Sequence, residues 1–150
     1  MLFRSPDYTR IEWLMGFGTG ARYRREALRR AGLTPGMRFV DVGTGTGLVA
    51  REAISILGDA QAVTGVDPSA GMLHETLLPE GVTLLEGSAE ALPLPAASAD
   101  FLSMGYALRH ISDLSLAFAE FLRVLAPGGV VCILEITRPA GRLASALLKT

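Results

Sequence analysis

Cysteine and lysine each occur only once in this chain of 150 residues, as Cys132 and Lys149. A single cysteine excludes an intramolecular disulfide, and its place in an apolar run favours a small buried side chain. Excess charge is also absent: the formal net charge of −1 argues against a nucleic-acid binder, which would be broadly basic. Because 49% of the residues are hydrophobic, the composition also excludes a disordered chain.

Long hydrophobic runs are missing as well. No stretch approaches the roughly eighteen apolar residues that a membrane-spanning helix needs, and residues 1–6 show no apolar signal region. We find no internal repeat, low-complexity segment or linker, so a single domain is expected at this length. The expected location is cytoplasmic.

Three glycines at every second position are the most informative feature. Residues 39–47 read Phe-Val-Asp-Val-Gly-Thr-Gly-Thr-Gly, which is typical of a buried strand, then a loop, then a helix beginning near Leu48. Glycine permits positive φ and close approach of a ligand, and the helix N-terminus offers free N–H groups. The pattern therefore predicts a loop that binds a polar small molecule at the end of a parallel sheet.

The glycine spacing narrows the choice of ligand. A dinucleotide fingerprint G-x-G-x-x-G would place its third glycine at position 48, where this chain has Leu48. A phosphate-binding P-loop would end in Gly-Lys-Ser/Thr, which is absent. The nearest match is the D-x-G-x-G-x-G loop of the S-adenosylmethionine-dependent methyltransferases, with an NAD enzyme as the alternative.

A second short apolar run ends in Asp67. A carboxylate at a strand end can accept hydrogen bonds from both ribose hydroxyls, each contributing about 1.5–3 kcal/mol. NAD enzymes place an acidic residue similarly, so Asp67 indicates an adenosine ligand without choosing between cofactors. The alternative interpretation is an aspartate that caps a turn or helix before Pro68 and Ser69.

Strands alternate with helices along the rest of the chain. We expect strands at 38–42, 62–66, 82–85, 100–104 and 130–136, and helices at 8–31 (interrupted at 16–18), at 48–57, after Ser69 and after Asp113. The last helix is expected to face inward through Ala117, Phe118, Phe121, Leu122 and Leu125, and Pro127-Gly128-Gly129 to form a turn before the fifth strand. This alternation predicts a doubly wound, mostly parallel α/β sheet with ligands beyond the strand carboxyl ends. Four residues fall there: Asp41, Asp67, Ser88 and Gly105.

Four segments make the chain resemble the ubiquinone/menaquinone C-methyltransferases within the class I S-adenosylmethionine-dependent methyltransferases. They are 40–47 (VDVGTGTG), 87–95 (GSAEALPLP, similar to G-D/N-A-E-x-L-P-F-P), 106–111 (YALRHI, similar to F-G-L-R-N-V), and 123–129 (RVLAPGG) with 134–139 (LEITRP). The first and fourth are shared with many class I enzymes. Only 106–111 and the glycines at 16–18 point to the quinone branch.

The resemblance implies a cofactor site for S-adenosylmethionine. Its residues would be Gly43, Gly45, Thr46 and Gly47 on the methionine portion, Asp67 on the ribose, Met72, Ser88 and Ala89 around the adenine, and Gly105 beneath the sulfonium. We include Asp41, at the end of the preceding strand, in the same site. Two positions depart from the family pattern: Ser88 replaces Asp or Asn, and His110 replaces Asn.

The resemblance also implies a catalytic requirement, because carbon methylation of a hydroquinone needs a phenolate, and a phenol pKa lies near 10. Arg109 is the first catalytic candidate, since a guanidinium would stabilise the phenolate; the alternative is a surface arginine paired with Asp113. His110 has a suitable unperturbed pKa for a general base, the alternative being a loop histidine bound to backbone. Glu86 and Glu90 have no partner at metal-ligand spacing, so no metal site is predicted.

The expected organisation is an N-terminal helical lid (1–36), a sheet core (37–139) and a truncated helix (140–150). Compared with the class I fold, we expect the chain to lack the last two strands, which indicates a truncated chain or a partner, such as a second copy, over the fifth strand. Peripheral membrane contact through the N-terminal arginines is an alternative to a solvated helix face. Three functions stay open: methylation of a small, lipophilic substrate such as a quinol, silent adenosine-ligand binding, and NAD-dependent oxidoreduction.

Overall fold

The computed structural model of the chain describes residues 19–135, over which strands and helices alternate. The elements are α1 (Thr19–Arg30), β1 (Phe39–Val42), α2 (Leu48–Leu57), a 3-10 turn (Ala60–Ala62), β2 (Val63–Asp67), α3 (Ala70–His74), β3 (Thr83–Glu86), β4 (Ala99–Gly105), a second 3-10 turn (Leu108–His110), α4 (Leu114–Val124) and β5 (Leu125–Leu134). Expectations for the lid before position 19 and for the helix at 140–150 lie outside the described residues.

The five strands form one parallel sheet in the order β3-β2-β1-β4-β5. The central strand β1 places Val42 beside Val66 of β2 and Met104 of β4. The strand order reverses between β1 and β4, and in such sheets a crevice for ligands opens at that point, outside the strand carboxyl ends. The predicted doubly wound α/β fold is confirmed.

The sheet is buried because helices cover both faces. On one face Phe39 of β1 and Phe101 of β4 stack with their ring centroids 5.7 Å apart and pack with Leu28 of α1 and Ala53 of α2. On the other, α4 contributes Phe121 to a second apolar cluster. Buried strands between two helical layers explain the nearly continuous apolar runs of the sequence.

Helix α2 has the predicted bounds because a glycine in the left-handed region lies at each end. Gly47 precedes its first turn with φ 88°, and Gly58 follows its last turn with φ 71°. The N–H of Gly58 donates to the carbonyl of Ile54, which satisfies one of the free carbonyls of the last turn. The first of these glycines also ends the ligand-binding loop, so loop and helix are fixed together.

Strand β5 differs from the prediction. It begins at Leu125 rather than 130 and ends at Leu134, and the expected turn at 127–129 lies within it. Positions 125 and 130 of β5 lie opposite positions 99 and 101 of β4, so the intervening residues bulge, with Gly128 at φ 81°. The turn residues therefore kink the strand instead of preceding it.

The inward face of α4 is narrower than predicted. Ala117 and Phe121 are buried, but Phe118 is 43% exposed and Leu122 is 77% exposed, so the inward prediction was wrong for these two. One helical stripe reaches the sheet, and the next residue along each turn points about 100° away. Cys132 is half-buried instead of buried, because β5 is an edge strand among residues 19–135. Within that range no helix is long and apolar enough to cross a membrane.

Candidate functional site

A cavity of about 340 Å³ opens at the carboxyl ends of β1, β2 and β4. Four chain segments line it: parts of 42–49, 67–72, 87–90 and 104–111. It brings together ten of the predicted site residues, namely Gly43, Gly45, Thr46, Asp67, Met72, Ser88, Ala89, Gly105, Arg109 and His110. A cavity of this size holds a small organic ligand.

The glycine loop forms one wall of this cavity. The N–H groups of Gly43 and Thr44 both donate to the carbonyl of Val66, at 2.8 and 3.0 Å, which fixes the loop against β2. Gly43 has φ 70°, and a Cβ there would lie 2.8 Å from the Cβ of Ala107. Close approach of the loop to the segment after β4 therefore requires glycine.

Asp67 holds the loop while facing the cavity. Its Oδ2 accepts the N–H of Gly45 and its Oδ1 accepts the N–H of Ser69, both at 2.9 Å. A carboxylate oxygen has capacity for more than one hydrogen bond, so acceptor sites remain for ligand hydroxyls. Turn capping and ligand binding by Asp67 are thus compatible, and these two hydrogen bonds support turn capping directly.

Asp41 lies beneath the loop, not in the cavity lining. It is 1% exposed; its Oδ2 accepts the Thr44 hydroxyl at 2.8 Å and its Oδ1 accepts the Ser103 hydroxyl at 2.6 Å. Burial raises the pKa of Asp41 to about 6, although the two hydroxyls oppose this by stabilising the ionised form. Asp41 is thus enclosed and does not line the cavity, and it supports the loop from below through Thr44.

Gly47 is the second predicted contact that does not line the cavity. A Cβ at this position would fall 2.5 Å from the Cγ of Leu78. Glycine is required at position 47 because the loop after α3 packs against the start of α2. Sequence spacing alone could not separate this packing role from ligand contact.

Another wall, which we call the adenine wall, carries the residues expected around an adenine. Ala89 is buried, Ser88 is half-buried, and both line the cavity with Met72 from α3. The N–H of Gly87 donates to the carbonyl of Asp67 at 3.1 Å, and a Cβ on Gly87 would lie 2.6 Å from the Cδ of Pro93. This wall is thus fixed to β2 by backbone contacts.

The remaining wall is the 106–113 loop, which follows β4. Tyr106 takes φ 60°, an uncommon value for a non-glycine residue, and its N–H donates to the carbonyl of Leu134 at 2.7 Å. The N–H of Leu108 donates to Oε1 of Glu135 at 2.9 Å. Two contacts from the end of β5 therefore hold the beginning of this loop.

Arg109 and His110 are exposed at the cavity on this loop. Among residues 19–135 neither side chain forms a hydrogen bond or ion pair. The alternative of an Arg109–Asp113 pair was wrong, because these two side chains form no ion pair in the described part of the chain. Asp113 caps α4 by accepting the N–H of Leu116 at 3.0 Å. Both predicted catalytic side chains are available to a ligand.

The sequence argument missed several cavity residues. Thr44, Glu90, Tyr106, Ala107 and Ile111 also line it. Thr44 had a signal, since a hydroxyl between two loop glycines can reach the nearby Asp41, and Glu90 directly follows the predicted Ser88 and Ala89. Tyr106, Ala107 and Ile111 depend on how the 106–113 loop folds back. In the described part of the chain no group of three or more His, Cys, Asp or Glu side chains could hold a metal ion.

Charge is distributed unevenly over the cavity walls. Asp67 lies beside the glycine loop, and no basic side chain among the described residues lines that wall, whereas Arg109 and His110 lie on the 106–113 loop. A phosphate would meet a carboxylate at the glycine loop. The arrangement suits a ligand with hydroxyls and positive charge there, next to an acceptor with partial negative charge.

Comparison with known proteins agrees with this geometry. The pattern of a family described as "Methyltransferase domain" matches residues 40–133. The ubiquinone/menaquinone biosynthesis C-methyltransferase UbiE of Syntrophotalea carbinolica is 37% identical over 97% of this chain and 63% of its own length. The demethylmenaquinone methyltransferase of Staphylococcus aureus is 34% identical over 90% of this chain and 58% of its own length. The chain thus spans about three fifths of these relatives.

A solved structure shares the fold. The crystal structure of an S-adenosylmethionine-dependent methyltransferase from Aquifex aeolicus superposes with a TM-score of 0.75, covering 94% of this chain and 77% of the other at 21% identity. At that identity the likeness supports the architecture alone.

Proposed function

The chain belongs to the methyltransferase-domain family, and on that basis we propose that it transfers a methyl group from S-adenosylmethionine to a small molecule, with a quinol carbon as the acceptor. The observation that carries the proposal is one cavity that is lined both by the glycine loop with Asp67 and by the loop that carries Arg109 and His110. Family membership removes the NAD-dependent oxidoreductase from consideration.

The described residues fit the cofactor. Gly43 and Gly45 carry no Cβ, and a Cβ there would lie 2.8 Å from Ala107 Cβ or 3.4 Å from Met72 Cε. Asp67 retains acceptor capacity for the ribose hydroxyls, and the absence of basic side chains on the described loop wall suits a cationic ligand. Met72, Ser88 and Ala89 would hold the adenine, and Gly105 would lie near the sulfonium.

When bound, the cofactor supplies an activated methyl group. What remains for the chain is alignment, and well-oriented reactants can lower a barrier by roughly 7–11 kcal/mol. A phenol pKa near 10 leaves little phenolate at neutral pH. The guanidinium of Arg109 would stabilise the phenolate oxygen, and His110 would accept the proton. Ala107 and Ile111 give the same wall an apolar surface for a lipophilic ring.

The quinol acceptor is supported by two relatives whose names specify quinone methylation, at 37% and 34% identity. Within the site it is supported by the accessible cation and imidazole beside an apolar wall. The chain spans about three fifths of the length of those relatives, so its activity and its methyl acceptor require a direct experiment.

The test begins with calorimetric titration of the chain with S-adenosylmethionine, using NAD as the control ligand. We expect micromolar affinity for the first and none for the second. Incubation with a soluble demethylmenaquinol analogue should then give S-adenosylhomocysteine and a ring-methylated product in equal amounts. Binding without turnover on quinols would contradict the acceptor and favour a silent binding domain. Absence of binding would contradict the site.

A further inference from the structure

Glu90 joins two walls of the cavity, although the proposed chemistry does not use it. The residue follows Ala89 on the adenine wall and lines the cavity itself. Its Oε1 accepts the N–H of Ser112 at 2.9 Å and, less closely, that of Asp113 at 3.4 Å. These two residues close the 106–113 loop and lead into α4. One side chain therefore connects the adenine wall with the loop that carries Arg109 and His110.

The bond is of the stronger, charge-assisted kind. The backbone N–H groups of Glu90 and Ser112 stabilise the carboxylate and lower the pKa of Glu90, so Glu90 is ionised at neutral pH. The Ser88 hydroxyl contributes in the same direction. Charge-assisted hydrogen bonds are shorter and stronger than neutral ones, so this contact can hold a loop in place.

Other carboxylates near the cavity do not make this connection. Glu135 accepts the N–H of Leu108 and so holds the beginning of the same loop, but it reaches it from the end of β5. Glu120 accepts the N–H of Leu92 at 2.8 Å and binds Arg123, which fixes the continuation of the adenine wall to α4 outside the cavity. Among these three, only Glu90 runs from an adenine-wall residue to the 106–113 loop.

We propose that Glu90 is a positioning residue that couples cofactor binding to the order of the 106–113 loop, and thereby to the placement of Arg109 and His110. Adenine seated against Ser88 and Ala89 restrains the wall that carries Glu90, and the carboxylate transmits this restraint to the amides of Ser112 and Asp113. The inference rests on the proposed function, because it assumes that an adenosine ligand occupies this wall.

The test compares the unmodified chain with three variants. Glu90→Ala removes the carboxylate, and Glu90→Gln retains one acceptor oxygen without charge. Glu120→Ala is the matched control, because it removes the α4 carboxylate that holds Leu92 outside the cavity. Thermal unfolding first establishes that each variant is folded. Hydrogen exchange of the amides at 106–113 and 43–47 is then measured with and without S-adenosylhomocysteine.

We expect the ligand to slow exchange in both segments of the unmodified chain and of Glu120→Ala. In Glu90→Ala the slowing at 106–113 should disappear while that at 43–47 persists, and Glu90→Gln should recover part of it. With a quinol acceptor, Glu90→Ala should raise KM or lower kcat by about tenfold, the scale of one charge-assisted hydrogen bond, with ligand affinity changed less than about threefold.

Two outcomes would overturn the inference, and they differ from failure of the proposed function. Ligand-dependent slowing at 106–113 that survives in Glu90→Ala would refute the coupling. If Glu120→Ala lost the ligand-dependent slowing at 106–113 to the same extent, Glu90 would be only one of several structural contacts. If S-adenosylhomocysteine slowed neither segment of the unmodified chain, the proposed cofactor site would be refuted and the inference with it.

Discussion

At the scale of single residues, the site depends on two carboxylates that hold the glycine loop from different sides. Asp67 binds the backbone of the loop at Gly45 and faces the cavity. Asp41 binds the Thr44 hydroxyl from beneath and is buried. One carboxylate is thus placed to contact ligand, and the other acts through a neighbouring side chain.

For Asp67→Asn we expect weaker cofactor binding, because the amide retains one acceptor oxygen and loses the charge. Loss of one or two charge-assisted hydrogen bonds corresponds to an increase in Kd of at least about tenfold. Calorimetry with S-adenosylmethionine measures it. An unchanged Kd would show that the carboxylate only caps the turn at Ser69.

Arg109→Ala should have the opposite profile. Its side chain forms no hydrogen bond or ion pair with a described residue, so its loss should leave folding and cofactor Kd nearly unchanged. If it stabilises a phenolate, turnover of a quinol should fall by about tenfold to a hundredfold, as for loss of one charged hydrogen bond. Parallel losses of binding and turnover would refute the assigned role.

Asp41→Asn should change how stability depends on pH. The pKa of Asp41 is raised from 3.8 to about 6, so the folded chain retains this proton more strongly than the unfolded chain. Its contribution to stability is present below the unfolded pKa and is lost as pH rises through 6. Two pKa units correspond to about 3 kcal/mol.

The measurement for this variant is urea unfolding of both chains at several pH values between 4 and 7.5. We expect the stability of Asp41→Asn relative to the unmodified chain to increase with pH. A difference that stays constant over this interval would mean that Asp41 titrates normally.

At the scale of elements, α2 shows why two glycines in similar conformations are not equivalent. Gly47 and Gly58 both take positive φ at its ends. A Cβ on Gly58 would meet nothing within 4 Å, whereas one on Gly47 would lie 2.5 Å from Leu78. Gly58 therefore needs to be glycine for its conformation, and Gly47 needs to be glycine for space as well.

Substitution by alanine should separate the two effects. Gly58→Ala should cost about 1–2 kcal/mol of unfolding free energy for the left-handed conformation. Gly47→Ala should cost about 1–3 kcal/mol more, because Leu78 must move. Urea unfolding measures both variants, and equal losses would show that Leu78 moves aside freely.

At the scale of the whole molecule, two arginines join parts of the chain that are distant in sequence. Arg38, just before β1, binds the Asp100 carboxylate of β4 through both guanidinium and backbone N–H groups at 2.8–3.0 Å. Arg123 binds Glu120 and also the carbonyls of Leu92 and Leu94. These arginines lower the pKa of Asp100 and of Glu120 to about 2 each.

Acid should therefore destabilise the molecule at a defined pH. A depressed folded-state pKa gives stability above the unfolded value near 4, and that stability is lost as pH falls towards 2. We expect the unfolding free energy to fall below pH 4, and to fall less steeply in Asp100→Asn. Urea unfolding at pH 2.5 to 5 tests this, and identical slopes for both chains would contradict it.

Two expectations about surfaces stay predictions at this scale. The arginines of α1 would contact anionic lipid if the acceptor is a membrane quinone, and a second copy would cover the β5 edge. Arg25 already binds Glu52 at 2.8 Å and Arg30 binds Glu26 at 2.9 Å, so part of that positive charge is neutralised within the chain.

The sequence by itself determined whatever depends on neighbours along the chain. The glycine spacing predicted the loop and the bounds of α2, and apolar runs ending in carboxylates located β1 and β2. The alternation of strands and helices predicted the parallel sheet, and the convergence of its carboxyl ends assembled ten of the predicted site residues in one cavity. These features follow from backbone conformation and hydrophobic periodicity, which are local.

Only the tertiary structure decided what depends on residues far apart in the chain. Asp41 does not line the cavity, because Ser103 of β4 and the glycine loop enclose its carboxylate. Phe118 and Leu122 remained exposed because the sheet contacts a single stripe of α4. A positioning role could be proposed for Glu90 only because folding brings the amide of Ser112 against its carboxylate. Such contacts arise only when packing brings distant segments together, so the periodicity of the sequence does not predict them.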